Sequence, residues 1–247
     1  MSESTTGAVL SYDGGTTIGL HLLPDLAPLL ARAGLRFGSI GGRGTNPGLE
    51  AARRREVDVA GVLRELTPAE KAELRWALIG HDALGVFVAD ANPVRGLTRE
   101  QLKGLFTGAV RSWRELGGPD VPVVPVTEVK TGGRGTVQEL RRIALGGAEY
   151  GPTVEYEDAP DCLVHVARDP GAVTAASMSM AIPGVRPLVI DGVGPTVADI
   201  RSGAYLLGRP MYLVAAKPAA PAVEALLDAV LSPDAQSIVA RRFTPAR

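Results

Sequence analysis

The sequence has little of what disulfides, metal centres and membrane spans require. Of its 247 residues, one is cysteine and three are histidine, so an internal disulfide and a cysteine-rich zinc site are excluded. No apolar stretch approaches the roughly 18 residues of a membrane-spanning helix. We therefore expect no membrane span, no metal and no cofactor in this chain.

An excess of charge of one sign is also missing. The chain contains 26 Lys and Arg residues and 27 Asp and Glu residues, which leaves a net charge of −1. The chain as a whole therefore has no electrostatic attraction to nucleic acid or to an anionic membrane, and a site that depends on charge must be local. The N-terminus carries neither a signal peptide nor a lipobox, so we expect the chain as written to be cytoplasmic, and extracytoplasmic if such a segment was removed.

The chain is instead rich in turn-forming residues and in short apolar runs. It contains 30 Gly and 19 Pro, and 45% of its residues are hydrophobic, so many tight turns and a substantial core are expected. Capping boxes that begin at Thr67 and Thr98, and a Ser232-Pro233 start, mark helices. Short apolar runs typical of buried strands occur at residues 8–12, 57–61, 83–89, 121–126, 187–190 and 211–215. The alternation predicts an α/β fold, with ligands at the strand ends.

A short glycine-rich motif occurs twice. Gly41-Gly-Arg-Gly-Thr45 recurs as Gly132-Gly-Arg-Gly-Thr136, and each copy leads into a helical pattern, the second through a capping box from Thr136 to Glu139. Glycine lets a backbone approach a ligand closely, and a helix N-terminus with an adjacent arginine attracts anions. Lys130 and the turn Asp13-Gly-Gly-Thr-Thr17 offer further anion-binding groups. The competing interpretation is a capped helix preceded by an ordinary turn.

Other chemistries have weaker support. Neither loop ends in the Gly-Lys-Ser/Thr of a phosphate loop, and neither has the glycine spacing of a dinucleotide fold, so nucleotide binding is not expected. Cys162 is interpreted as a small buried hydrophobe rather than a nucleophile. No catalytic residue is assigned.

Three stretches of the sequence together carry a family resemblance. The first runs from Gly80-His-Asp through Asn92-Pro to Ser112-Trp-Arg-Glu-Leu-Gly-Gly118. The second contains Gly194-Pro-Thr196, Ile200-Arg-Ser-Gly-Ala-Tyr205 and Arg209-Pro210, and the third lies between Glu56 and Glu70. In these motifs, and in their order over nearly the whole chain, the protein resembles the phosphate-binding proteins of ABC transporters. That family has the periplasmic-binding-protein type II fold.

The resemblance implies two α/β lobes joined by two crossover strands, with a small anion bound in the cleft between them. We place lobe I at residues 1–82 and 183–247 and lobe II at residues 83–182. The ligand-binding positions of the family fall on hydroxyl, cationic and glycine residues of this chain, namely Thr16, Thr17, Thr45, Lys130, Arg134, Gly135 and Thr136.

Several of these positions depart from the family pattern. Lys130 replaces an arginine and loses its bidentate fork, while Arg134 replaces a serine. Where the family has a serine or aspartate after the predicted strand at residues 57–61, this chain has Leu63 followed by Arg64. A carboxylate there would accept the proton of a monohydrogen oxyanion, so selectivity for phosphate over sulfate is in question. We include Arg64 among the ligand-binding candidates, and Arg43, His81 and Asp82 as further candidates.

Three functions fit these observations. The first is a solute-binding protein for phosphate, a related oxyanion, an organic phosphate or a carboxylate, with an ABC transporter permease as its possible partner. The second is an intracellular biosynthetic enzyme or cyclase that reuses the scaffold for an organic substrate, with His81, Asp82, Arg64 or Lys130 as acid–base or electrostatic groups. The third is a regulatory module that senses an anion.

Overall fold

The computed structural model describes residues 7–131 and 134–246. By its contacts the chain divides into two units, one comprising the described residues up to Asp82 and those from Arg209 onward, and the other comprising Ala83–Gly208. The units meet at 82/83 and 208/209, and the sequence-based lobes at 82/83 and 182/183; residues 183–208 pack in the second unit.

The elements of both units follow one another as predicted, with strands alternating with helices. The strands are β1 (Ala8–Gly14), β2 (Leu35–Ile40), β3 (Val59–Val62), β4 (Leu74–Ala89), β5 (Gly96–Leu97), β6 (Val124–Glu128), β7 (Val154–Tyr156), β8 (Ala172–Ser177), β9 (Val185–Pro187), β10 (Val189–Ile190), β11 (Gly208–Ala216) and β12 (Thr244–Pro245). The helices are α1 (Leu23–Arg32), α2 (Thr45–Arg53), α3 (Pro68–Glu73), α4 (Arg99–Thr107), α5 (Gly135–Ile143), α6 (Ala159–Arg168), α7 (Val197–Ser202), α8 (Pro221–Ala229) and α9 (Pro233–Val239). Each apolar run expected to be a strand overlaps one.

The first unit is built on a mixed sheet with the strand order β2-β1-β3-β11-β4. β1 pairs in parallel with β2 and with β3, β11 is antiparallel to β3, and β12 is antiparallel to β4. Its largest core joins apolar residues of β1, α1, β4, β11 and the two C-terminal helices, including Leu26, Ile79 and Leu226. Burial of these side chains, at roughly 25 cal/mol per Å² of apolar surface, holds the helices on the sheet.

The second unit has its own sheet, in which the second half of β4 is followed by β8, β6 and β7. β8 is antiparallel to β4 and parallel to β6, and β6 is parallel to β7. Residues 183–208 belong to this unit because β9 pairs with β4, the Tyr205 hydroxyl donates to the Leu84 carbonyl at 2.9 Å, and Leu207 lies in the core around Leu84. The predicted boundary at 182/183 missed these contacts.

Most of the helix starts predicted from capping motifs are present in the structure. Thr67 and Glu70 form a reciprocal capping box at α3, and Thr98 and Gln101 form one at α4. The hydroxyl of Ser232 caps α9. The capping box expected at Thr136 is wrong, because α5 begins one residue earlier at Gly135 and the Glu139 carboxylate pairs with Arg142 instead.

Candidate functional site

In the first unit, the carboxyl ends of β1 and β3 meet the N-terminus of α2. β1 lies between β2 and β3, an arrangement in which the connections leave a strand in opposite directions and open a crevice at its carboxyl end. Glycines allow the backbones of β1, β3 and α2 to approach one another closely. A β-carbon on Gly14, whose φ is +135°, would lie 2.5 Å from the backbone nitrogen of Gly61, and one on Gly48 of α2 would lie 2.5 Å from the α-carbon of Gly14.

The loop before α2 is held by a buried carboxylate, that of Asp13. Its Oδ1 accepts the backbone N–H of Gly14 at 2.8 Å and that of Arg43 at 3.0 Å, and its Oδ2 accepts the Arg43 Nε–H. Burial alone would raise the pKa of Asp13, but the hydrogen bonds from Arg43 and Gly14 outweigh it and hold the pKa below its ordinary value. Arg43, a ligand-binding candidate, therefore holds Asp13, and the loop donors bind a carboxylate of the chain itself.

The three threonines predicted to bind the ligand lie around this crevice in different environments. Thr45 is the first residue of α2, after Gly44 at φ +99°, and its hydroxyl accepts the Leu63 N–H at 3.2 Å. Thr16 is exposed and precedes a short π-helical turn, Thr17–Leu22, that leads into α1. Thr17 is buried. Thr16 and Thr17 follow β1, whereas Thr45 follows β2 and is tied by its hydroxyl to the residue after β3.

The buried Thr17 belongs to an ion-pair cluster. The guanidinium of Arg209 donates to Asp82 Oδ2, from Nε at 3.0 Å and from Nη2 at 2.6 Å, and also to Thr17 Oγ1 at 3.3 Å. The side chains of Arg209 and Asp82 are 4% and 1% exposed. Asp82, a ligand-binding candidate, is therefore engaged in a buried ion pair. His81 is partly buried on β4, where it lies opposite Thr244 of β12.

Arg64 is bound by a buried glutamate. Its two terminal nitrogens donate to the two oxygens of Glu70 at 2.8 and 2.9 Å, a bidentate geometry that strengthens the pair. These hydrogen bonds from Arg64 lower the pKa of Glu70 to about 2. Arg64 also donates to Asn46 at 3.2 Å, one residue from Thr45. The structure thus brings Arg64 close to the start of α2, with its charge already matched by Glu70.

In the second unit, the candidates lie around the start of α5. Arg134 precedes the helix, and Gly135 and Thr136 are its first two residues; the loop glycines 132 and 133 lie outside the described residues. Arg134 Nη2 donates to Glu157 Oε2 at 3.1 Å. Lys130 Nζ lies 2.9 Å from both Glu155 Oε1 and Thr153 Oγ1. This ammonium lowers the pKa of Glu155. Both cations therefore pair with carboxylates in or directly after β7, the strand that pairs with β6.

The carboxylate partners are the residues that sequence reasoning missed. Four candidate cations, Arg43, Arg64, Lys130 and Arg134, pair with four carboxylates, those of Asp13, Glu70, Glu155 and Glu157. The sequence places Asp13 in a turn and Glu70 in a capping box. Glu155 lies in a short strand and Glu157 directly after it, and no sequence motif marks either residue. The local concentration of positive charge predicted from the sequence is therefore largely compensated within each unit.

Two other kinds of site are absent from the described part of the chain. Residues 7–131 and 134–246 contain no group of three or more His, Cys, Asp and Glu side chains that could hold a metal ion. Over the same residues, no helix combines the length and the apolar character needed to cross a bilayer.

The mixed α/β units and their glycine-rich loops at strand ends define a protein of the type II periplasmic-binding-protein class. The sequence family described as the PBP superfamily domain matches residues 38–234. The chain therefore belongs to the PBP superfamily, which confirms the fold class and the resemblance.

Individual relatives point in the same direction. The phosphate-binding protein PstS of Bacillus subtilis is 31% identical over 134 residues, which make up 52% of this chain and 44% of that protein. A phosphate ABC transporter substrate-binding protein from Clostridium perfringens, solved with bound phosphate, superposes with a TM-score of 0.82 at 24% identity, covering 97% of this chain and all of that one. A phosphate transport receptor from Vibrio cholerae gives 0.81 at 22% identity, with coverage of 94% and 98%. The matched stretch spans less than half the length of PstS, and the two structures establish the fold.

Proposed function

We propose that this protein is a solute-binding protein for a small anion, either phosphate or an oxyanion, organic phosphate or carboxylate of similar chemistry. The observation that carries the proposal is the loop before α2. Asp13 fixes this loop through the backbone N–H and the Nε–H of Arg43, and the loop delivers Thr45 to the N-terminus of α2, where the helix dipole attracts an anion. The second unit presents the same sequence motif at the start of α5.

The relatives support the proposal through what they are known to bind. The Bacillus subtilis protein is a phosphate-binding protein and the Clostridium perfringens structure contains phosphate. The enzyme alternative has no comparable support. Two of the groups that it would use, Asp82 and Arg64, are engaged in ion pairs with Arg209 and Glu70.

Selectivity among oxyanions follows from the side chain at the end of β3. Leu63 is buried and cannot accept the proton of monohydrogen phosphate, a proton that sulfate lacks at neutral pH. The N–H and hydroxyl donors at the strand ends serve both anions equally. We infer that the protein discriminates between phosphate and sulfate less than a site with a carboxylate at this position would.

Calorimetric titration of ligand-free protein with phosphate, sulfate, an organic phosphate and a carboxylate tests the proposal. Thr45→Val, Lys130→Gln and Arg134→Gln should each weaken binding, because each removes a donor or a cation. Arg141→Gln is the matched control, since Arg141 lies in the last turn of α5 and pairs with Glu149. Absence of binding heat with every anion, in protein shown to be folded by circular dichroism, would overturn the proposal.

We also infer a transporter partner and a matching location. ABC transport is the role of the Clostridium perfringens relative, so an ABC permease is the partner class that fits, and an extracytoplasmic location would follow. The test is a reconstituted permease from the same genome, whose ATPase activity should rise with anion-loaded protein. Cell fractionation of the natural gene product tests the location independently.

A further inference from the structure

We propose that Glu155 and Glu157 are internal anions that compete with the ligand for Lys130 and Arg134, and so set the anion affinity of the second unit. This inference rests on the proposed anion-binding function. It concerns how strongly the ligand is held, and it assigns a role to two carboxylates that the resemblance does not place at the site.

The contacts of Glu155 are those that a bound oxyanion would make. Its Oε1 lies 2.9 Å from the ammonium of Lys130, and its Oε2 accepts the Lys130 backbone N–H at 3.0 Å. Together, one charged donor and one backbone N–H are engaged by the two oxygens of a single carboxylate. Thr153 shares the same ammonium at 2.9 Å. An incoming anion can use Lys130 only after Glu155 has given up part of this arrangement.

Glu157 has the same relation to Arg134. Its Oε2 accepts from Arg134 Nη2 at 3.1 Å, and the neighbouring Asp158 carboxylate lies 3.8 Å from Nη1. Glu155 lies in β7 and Glu157 in the bend that directly follows it. This short segment thus supplies a carboxylate to each of the two cations.

Exposure separates these carboxylates from the one that fixes the loop of the first unit. The side chains of Glu155 and Glu157 are 34% and 76% exposed, whereas that of Asp13 is 4% exposed. An exposed ion pair contributes little because water solvates both charges when it opens. Glu155 and Glu157 are therefore displaceable by a ligand, while Asp13 is a permanent part of the loop.

Competition of this kind lowers affinity in two ways. The cations must exchange a carboxylate for the ligand, which reduces the net gain in binding free energy. The displaced carboxylates also remain close enough to repel the bound anion. Removing the negative charge while keeping the shape should therefore tighten binding. A structural role would give the opposite result, since loss of the pair would loosen Lys130 and weaken binding.

The experiment is calorimetric titration of phosphate into wild type, Glu155→Gln, Glu157→Gln and the double variant at low ionic strength. Each single change should tighten binding by about two- to fivefold, the range expected for an exposed pair, and the double change by more. Glu149→Gln is the matched control, because Glu149 pairs with Arg141 in the same unit and should leave the affinity unchanged. Glu155→Asp, which shortens the reach to Lys130, is a second route to the same effect.

Unchanged or weaker binding in Glu155→Gln and Glu157→Gln, with wild type binding phosphate, would overturn this inference and leave the proposed function standing. Absence of binding in wild type and in every variant would overturn the proposed function for phosphate, and the inference with it. Binding that emerges only in the glutamine variants would support both.

Discussion

The guanidinium of Arg209 lies 2.6 Å from the carboxylate of Asp82, and the chain passes between its two units immediately beside both residues. Asp82 is the last residue before the chain enters the second unit, and Arg209 is the first residue after it returns. Arg209 also reaches Thr17 at 3.3 Å. One buried ion pair therefore joins both crossing points to the first turn after β1, where ligand-binding candidates lie.

Breaking this pair should destabilise the first unit strongly. Asp82→Asn leaves the Arg209 charge buried without its counter-charge, and such a loss is worth about 3–5 kcal/mol. Urea unfolding followed by circular dichroism measures the change. Asp25→Asn is the control, since Asp25 pairs with Arg242 in an exposed setting and should change stability by less than about 1 kcal/mol. Equal losses of stability from Asp82→Asn and Asp25→Asn would contradict the conclusion that the buried Asp82–Arg209 pair stabilises the first unit.

Gly48 and Gly135 should respond differently to alanine. A β-carbon at Gly48 would lie 2.5 Å from the α-carbon of Gly14, so Gly48→Ala must push α2 away from β1, at about 1–3 kcal/mol. A β-carbon at Gly135 meets no heavy atom of the described neighbours within 4 Å, and Gly135→Ala should be neutral or stabilising by up to about 1 kcal/mol. Thermal unfolding of both variants tests this contrast. Tolerance of Gly48→Ala would show that α2 is not wedged against β1.

The Glu70 carboxylate should make stability depend on pH in the acidic range. Arg64 lowers its pKa from 4.5 to about 2, so the native state favours the ionised form. This stabilisation is present above pH 4.5 and is lost as pH falls towards about 2. At pH 7, Glu70→Gln should lower the free energy of unfolding by about 1–3 kcal/mol.

Unfolding of wild type and Glu70→Gln at a series of pH values checks the Glu70 prediction. The difference between the two proteins should shrink below pH 4.5. Glu73→Gln serves as the control, because Glu73 is half exposed in its pair with Arg53. A difference that stays constant down to pH 2.5 would contradict the role of the ionised carboxylate.

Cys162 should be unreactive in the folded protein. Its side chain is buried in the core around Phe87 and Val126, and burial raises the pKa of the thiol to about 12, so almost no thiolate forms at pH 8. Ellman's reagent should label the native protein only at the rate of unfolding, and should label one thiol per chain in denaturant. Rapid labelling of the native protein would instead support the interpretation of Cys162 as a nucleophile.

Much of the fold could be predicted because its signals are local. Thr67 and Thr98 mark their helices through hydrogen bonds to residues three positions away. The glycine-rich loops mark helix starts through their turn-forming residues, without a side-chain cap. The error at Thr136 was also local, since Gly135 can begin the helix one residue earlier. The boundary between the units at 208/209 could not be predicted from the sequence. The contacts of Tyr205 and Leu207 with Leu84 that define it join residues more than 120 positions apart.

The amino-acid order alone predicts the alternation of strands and helices, the position of the loops that end in Thr45 and Thr136, and the family resemblance. These follow from backbone preferences and short motifs, which act over a few residues. The charge pairing depends on the three-dimensional fold. Asp13 finds Arg43 and Asp82 finds Arg209 because strand order and register bring distant residues together, and no local pattern carries that information.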